Sequence, residues 1–99
     1  MAAISRFPQV RRDLSVTLPV ATPLSQLRDR VMFLSGPLLR ELRIFDVYQG
    51  QGIETGRKSV AFGLIFQDNN KTLADDDADR IVALVADDLR SSLDAQLRE

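Results

Sequence analysis

The chain has 99 residues, 44% of them apolar and 27% charged, with a formal net charge of −1. That is material for one small domain with one core. It holds neither Cys nor His, which excludes disulfides, thiolate nucleophiles, imidazole acid–base chemistry and zinc sites built on those ligands.

No apolar run approaches the roughly 20 residues that cross a bilayer, and the N-terminus has no charged-then-apolar leader pattern. No membrane role is expected, and a cytoplasmic location is. The charge is unevenly spread. Residues 1–72 carry 10 Lys+Arg against 6 Asp+Glu, and residues 73–99 carry 3 against 8. A basic sheet-and-loop surface and an acidic last helix are expected, which suits a limited contact with RNA better than strong, non-specific polyanion binding. No DNA contact is expected.

In chain order, residues 1–10 read as extended, because Phe7 precedes Pro8 and is kept out of the helical region. Residues 12–18 alternate, with Leu14, Val16 and Leu18 on one side and Asp13, Ser15 and Thr17 on the other, as in a strand with one buried face. Pro19 stops it. Thr22 as cap and Pro23 as first helical residue open a helix carrying Leu24, Leu27, Val31 and Leu34 at helical spacing, and Gly36-Pro37 ends it.

A second strand over 38–48 is expected to be irregular in its first half. Alternation puts Phe45 and Val47 on its helix-facing side and Ile44, Asp46 and Tyr48 on the other. Residues 49–57, with Gly50, Gly52 and Gly56, form a hairpin loop. In a third strand over 59–67, Val60, Phe62, Leu64 and Phe66 make an apolar face, and Ser59, Ala61, Gly63 and Ile65 a smaller one. After a turn at 68–71, a second helix runs from 75 to about 93 with Ala78, Ile81, Val82, Val85 and Leu89 as its stripe, and residues 95–98 form a short last strand. The order βαββαβ predicts an α+β, ferredoxin-like sandwich: a four-stranded antiparallel sheet with two helices on one face and the other face open.

On that open face, Asp46, Tyr48 and Ser59 are the candidate binding residues. Tyr48 can stack on a base, Asp46 can accept from a base edge rich in donors such as guanine N1–H and N2–H₂, and Ser59 can donate or accept beside them. The same spacing also fits an ordinary solvated strand face with one amphipathic Tyr. Arg11, Arg12, Arg57, Lys58 and Arg98 are candidates for holding the RNA backbone, or are scattered solvated charges. Phe62 and Phe66 share the parity of Val60 and Leu64, and so read as core. The run Asp75-Asp76-Asp77-Ala78-Asp79 matches a DDxxD metal pattern, but acids are expected at a helix start on electrostatic grounds alone. The glycine loop lacks GxxxxGK[ST] and joins strand to strand, so it is not a phosphate loop. No catalytic residues, metal ligands or cofactor are expected in the chain itself.

One extended pattern is specific. It comprises Phe7-Pro8-x-Val10-x-Arg12-Asp13-Leu14-Ser15, Leu38-Leu39, Phe45-Asp46-Val47-Tyr48-x-Gly50-x-Gly52-Ile53-x-x-Gly56-x-Lys58-Ser59-x-Ala61-Phe62, Phe66-Gln67-Asp68, Thr72-Leu73 and Ala95-x-Leu97-Arg98. Over residues 4–99 it closely resembles the C-terminal anticodon-binding domain of the bacterial phenylalanyl-tRNA synthetase beta subunit. The resemblance implies a ferredoxin-like fold and a parent enzyme of two alpha and two beta subunits. That enzyme joins phenylalanine to its tRNA with ATP and magnesium, at a catalytic site in the alpha subunit. It implies that this domain binds the anticodon stem-loop of tRNA-Phe, above all the first anticodon base, a guanine. The family's base-contacting acid, aromatic and hydroxyl fall on Asp46, Tyr48 and Ser59.

Ala74 departs from a commoner capping residue, and Leu93 from an aromatic that would line the base pocket. The family's beta subunit is far longer than this chain. The chain therefore reads as a single domain, 1–99, excised from one, with residues 1–3 left over from cloning. A different class remains open: a ferredoxin-like regulatory or protein-interaction domain that binds a small molecule or dimerises through its sheet.

Overall fold

Alternation makes the first strand. β1 (Val10–Pro19) buries Leu14, Val16 and Leu18 and turns the residues between them outward. The computed structural model describes residues 8–98 apart from 69 and 71. The expected extended segment 1–10, with its residues 1–3, lies largely outside the described residues, as do two positions of the expected 68–71 turn. At Asn70 the backbone N–H bonds the Asp68 carboxylate at 2.8 Å, a side-chain-supported turn.

Helix α1 (Leu24–Ser35) begins one residue later than the capping pattern predicts. Pro23, with φ −66° and ψ 145°, is the cap, and its carbonyl accepts the Gln26 N–H at 3.1 Å. Its fixed φ is compatible with a helix, but its extended ψ is not. Gly36, at φ +64°, ends the helix with its N–H on Met32 O. A single 3₁₀ turn, Gly36–Leu38, leads into β2 (Leu39–Tyr48), which returns through the hairpin loop to β3 (Arg57–Phe66). Helix α2 (Asp75–Leu93) and a two-residue β4 (Gln96–Leu97) close the chain.

The sheet order is β2-β3-β1-β4, antiparallel throughout, with α1 and α2 packed together on one face. This is the ferredoxin-like α+β sandwich. Its core is Val60, Phe62, Leu64 and Phe66 of β3 with Val16 and Leu18 of β1, Leu27 and Val31 of α1, and Val85 and Leu89 of α2, all essentially solvent-free. Phe62 and Phe66 are thus core residues, as their parity predicts. Burial of this apolar surface is the main favourable term holding the layers together.

β2 departs from simple alternation twice. Its register against β3 shifts between Leu39 and Glu41, where irregularity is expected, and again between Ile44 and Asp46, where it is not. The second bulge corrects the side assigned to Phe45 and Ile44. Ile44 pairs with Phe62 and packs against the core, whereas Phe45 is the inserted residue and lies on the open face, its ring over Gly63. An extra residue in one strand lets two successive side chains point the same way. Val47 keeps its predicted helix-side parity opposite Val60, although it is largely exposed at the sheet edge.

Salt links to β1 and to α1 account for much of the acidity of α2. Arg12 is on the helix side of β1 and bonds Asp79 at 2.9 Å and Asp75 at 3.2 Å. Arg30 of α1 bonds both oxygens of Asp88, at 2.9 and 2.5 Å. Ala74 has no side chain able to cap α2, and the Asp77 carboxylate instead accepts the Ala74 N–H at 3.3 Å. Among the described residues no helix is long and apolar enough to cross a membrane.

Arg30 donates two charge-assisted bonds to Asp88 and holds its carboxyl below the ordinary 3.8. A carboxyl depressed in the folded state contributes stability that is present above its unfolded value and lost as pH falls through the folded one. Asp88→Asn is expected to lower stability near neutral pH. Its deficit should shrink as the pH drops below about 3.8, measured by urea unfolding across pH. A pH-independent deficit would refute this role for Asp88.

Candidate nucleic-acid interface

The open face is built in rows across the sheet. Tyr48 of β2 is opposite Ser59 of β3, which is opposite Thr17 of β1 and then Gln96 of β4. One step along, Asp46, Ala61 and Ser15 form the next row, and Arg43, Gly63 and Asp13 the one after. The central strand contributes only Ser59, Ala61 and Gly63 to these three rows. Its large residues are committed to the core, so the middle of the open face is a shallow floor of small side chains, walled on one side by Tyr48, Asp46 and Phe45.

The three base-binding candidates come together on this floor. Tyr48 is 41% exposed, and its hydroxyl donates to Gln51 O at 2.9 Å, so the hairpin loop fixes the ring. Gly50 makes that possible. It takes φ +130°, and a Cβ there would lie 3.4 Å from the Tyr48 hydroxyl. Ser59 is buried, and its Oγ accepts from Arg98 at 3.0 Å, so among the described residues its own proton is not committed to a partner. Asp46 is exposed and, among the described residues, its carboxylate has no hydrogen-bond or ion-pair partner. The site therefore presents an aromatic face, an open acceptor and, beneath Arg98, a hydroxyl.

The five basic candidates separate. Arg11 and Arg98 are exposed on the open face. The other three serve the fold. Arg12 faces the helices, as described. Arg57 has a side chain only 11% exposed. It donates to Thr17 O at 2.8 Å, Asp94 O at 2.6 Å and the Asp94 carboxylate at 3.2 Å, tying the end of α2 to the sheet. Asp94 is the left-handed residue that ends α2, at φ 55°. Lys58 bonds the carbonyls of Thr22 and Val20. Leu93 packs at the margin of the core, away from the open face, so the base site does not depend on an aromatic there.

Sequence reasoning missed Phe45. Its ring, 46% exposed, lies over Gly63, with the Arg11 guanidinium 5.1 Å from the ring centroid. Arg43 is next to it, paired to Glu41 at 2.7 Å. A signal did exist. Leu42 and Ile44 are apolar on one parity and Val47 on the other, and a strand with one buried face can satisfy both only through a bulge.

This fold and open face define a ferredoxin-like module with a candidate binding face. A family model described as the ferredoxin-fold anticodon binding domain matches residues 5–98. The chain belongs to that family. It is 43% identical over 98 residues to the phenylalanine–tRNA ligase beta subunit of Methylococcus capsulatus, covering 99% of this chain and 12% of that protein. It is 51% identical over 80 residues to the protein of the same name from Xanthomonas campestris, covering 81% of this chain and 10% of that one. The corresponding figures for Pasteurella multocida are 42% over 96 residues, 97% and 12%. The chain thus spans about a tenth of the length of these relatives.

Two structural expectations follow. Arg57→Ala removes bonds that no water can fully replace and should destabilise the domain by about 2 kcal/mol in urea unfolding. The loss of amide protection should be greatest over residues 94–98; an unchanged midpoint would show the bonds to be dispensable. Gly63→Ala would put a Cβ 2.7 Å from the Phe45 ring and 2.8 Å from an Asp13 carboxylate oxygen. Both are side-chain tips able to move, so stability should change by no more than about 1 kcal/mol while the ring is displaced. Loss of the ring-current shift at Arg11 in proton NMR spectra is the expected reading, and a retained shift the contrary one.

Proposed function

We propose that this chain is the module of a phenylalanine–tRNA ligase beta subunit that binds the anticodon stem-loop of tRNA-Phe and reads its first base, a guanine. The observation that carries the reading is the Asp46 carboxylate, unpartnered among the described residues, beside Tyr48 and Ser59 on a floor of small residues. Guanine offers N1–H and N2–H₂ to an acceptor and O6 to a donor, the complement of Asp46 and the Arg98-oriented Ser59 hydroxyl. Adenine places an acceptor, N1, where guanine has a donor, which sets it against Asp46. Tyr48 stacks on either base. The shallow open face suits a splayed, unpaired base and not a duplex. Exposed Arg11, Arg43 and Arg98 are placed to meet phosphates, which position the strand and carry no sequence information.

In this reading the domain holds one end of the tRNA while the acceptor end is charged elsewhere. The parent enzyme works in the cytoplasm as a tetramer of two alpha and two beta subunits. It uses ATP and magnesium, and its chemistry takes place in the alpha subunit. The family membership and the names of the relatives support the assignment to a phenylalanine–tRNA ligase beta subunit. The rival reading, a regulatory or dimerisation domain, finds no support: the face it would use carries Arg11, Asp13, Arg43, Asp46 and Arg98.

The test is a titration of the isotope-labelled chain with the tRNA-Phe anticodon stem-loop and with a loop carrying adenine at the first position. The guanine loop should bind about ten-fold tighter, a difference that Asp46→Asn reduces. Tyr48→Ala should weaken both loops by about ten-fold. Equal binding of the two loops by the unaltered chain would overturn base reading.

A further inference from the structure

We infer that Phe45 is a second base-stacking position, on which an unpaired base of the same RNA strand lies where the Arg11 guanidinium now sits. The inference rests on the proposed RNA-binding function and extends its site. It begins with the bulge in β2. That inserted residue is the reason an aromatic ring stands on the open face and not in the core, and Gly63 is the reason the ring can come so close to the sheet there. Any other residue at 63 would hold its Cβ within 3 Å of the ring and lift it off the sheet. The outcome is an aromatic surface, 46% exposed, on the same face as Tyr48.

The Arg11 guanidinium marks the stacking position. It is a planar, delocalised cation 5.1 Å from the Phe45 centroid, held otherwise, among the described residues, by its pairing with Asp13 at 3.1 Å. Both partners of that pair are more than half exposed, at 59% and 58%, so little opposes its displacement. A nucleobase offers a larger flat surface to the same ring. Displaced from the ring, Arg11 remains tethered beside it, and Arg43 stands on the other side, so both can turn to phosphate. The niche bounded by Arg11, Arg43, Phe45, Gly63 and Ile65 is only about 20 Å³, room for one water. The base therefore lies over the niche and is not inserted into it.

Spacing determines how the two bases lie. Tyr48 is opposite Ser59 and the Phe45 ring lies over Gly63, four residues further along β3. At ~3.3 Å per residue the two positions are roughly 13 Å apart. Neighbouring stacked bases are only about 3.4 Å apart along a strand. The two bases must therefore be splayed, each on its own ring, with the strand running along β2. Because any base has a π face, the Phe45 position should add affinity without selecting sequence.

The experiment titrates the chain and its variants with the guanine-first and adenine-first stem-loops. Phe45→Leu should weaken both about ten-fold and leave their ratio unchanged, and Phe45→Tyr should restore binding. Asp46→Asn should instead change the ratio. In the NMR spectra, the Phe45 ring protons of the unaltered chain should move on saturation. Amide spectra of Phe45→Leu that differ only around the bulge show that the fold is kept. If Phe45→Leu binds as the unaltered chain does while Tyr48→Ala does not, the second position is wrong and the first stands. If Tyr48→Ala, Asp46→Asn and Phe45→Leu all leave binding unchanged, the RNA interface itself is wrong and the second position falls with it.

Discussion

The pleat of β3 is the constraint on which the rest of this molecule depends. It is a central strand, paired on both sides, so every residue must serve one face or the other. Val60, Phe62, Leu64 and Phe66 go to the helices and are fully buried there. A one-residue slip would expose all four, which makes the register of both neighbouring strands costly to change. The small residues between them are then bound to face outward. The flat floor of the open face is therefore a by-product of core packing, and it is shaped to take planar groups.

The bulge at Phe45 is where the two faces are negotiated. β2 needs Leu42 and Ile44 on the core side and Asp46 and Tyr48 on the open side. Strict alternation from Ile44 would put Asp46 and Tyr48 over the helices, an unfavourable place for a carboxylate without a partner. One inserted residue resolves this, and that residue is an aromatic placed over the only β3 position without a Cβ. Bulges concentrate where a strand must re-aim a side chain, and this one re-aims two that stand at the candidate site.

Charge follows the same division of labour. Arg12, Arg30 and Arg57 bond acidic groups on or just beyond α2, so its Asp residues anchor the helix to the sheet and to α1. These pairs leave few cations for RNA. Three exposed arginines, Arg11, Arg43 and Arg98, are at the edges of the floor. The proposed interface, with so few cations for phosphate, would depend on stacking for affinity and on base-edge chemistry for selectivity. It also explains how a chain of net charge −1 is compatible with an RNA partner.

Much of this was legible in the sequence. Alternation in β1 and β3, the 3.6-residue stripe of α2 and the glycines of the hairpin are local signals, and local physics settles them. The open-face parity of Ser59 was legible for the same reason, and that of Asp46 and Tyr48 only through alternation with Val47, because the bulge breaks the period between them and Ile44. The tertiary structure alone decided three things. It decided that Phe45 belongs to the open face, because a bulge arises from pairing two strands with conflicting demands. It decided that Arg12, Arg57 and Lys58 are internal ties, because their partners are up to 67 residues away. It decided that Ser59 is oriented by Arg98, because a hydroxyl's partner depends on which strand end arrives beside it. Periodicity tells which way a side chain points, and only the folded chain determines what it meets there.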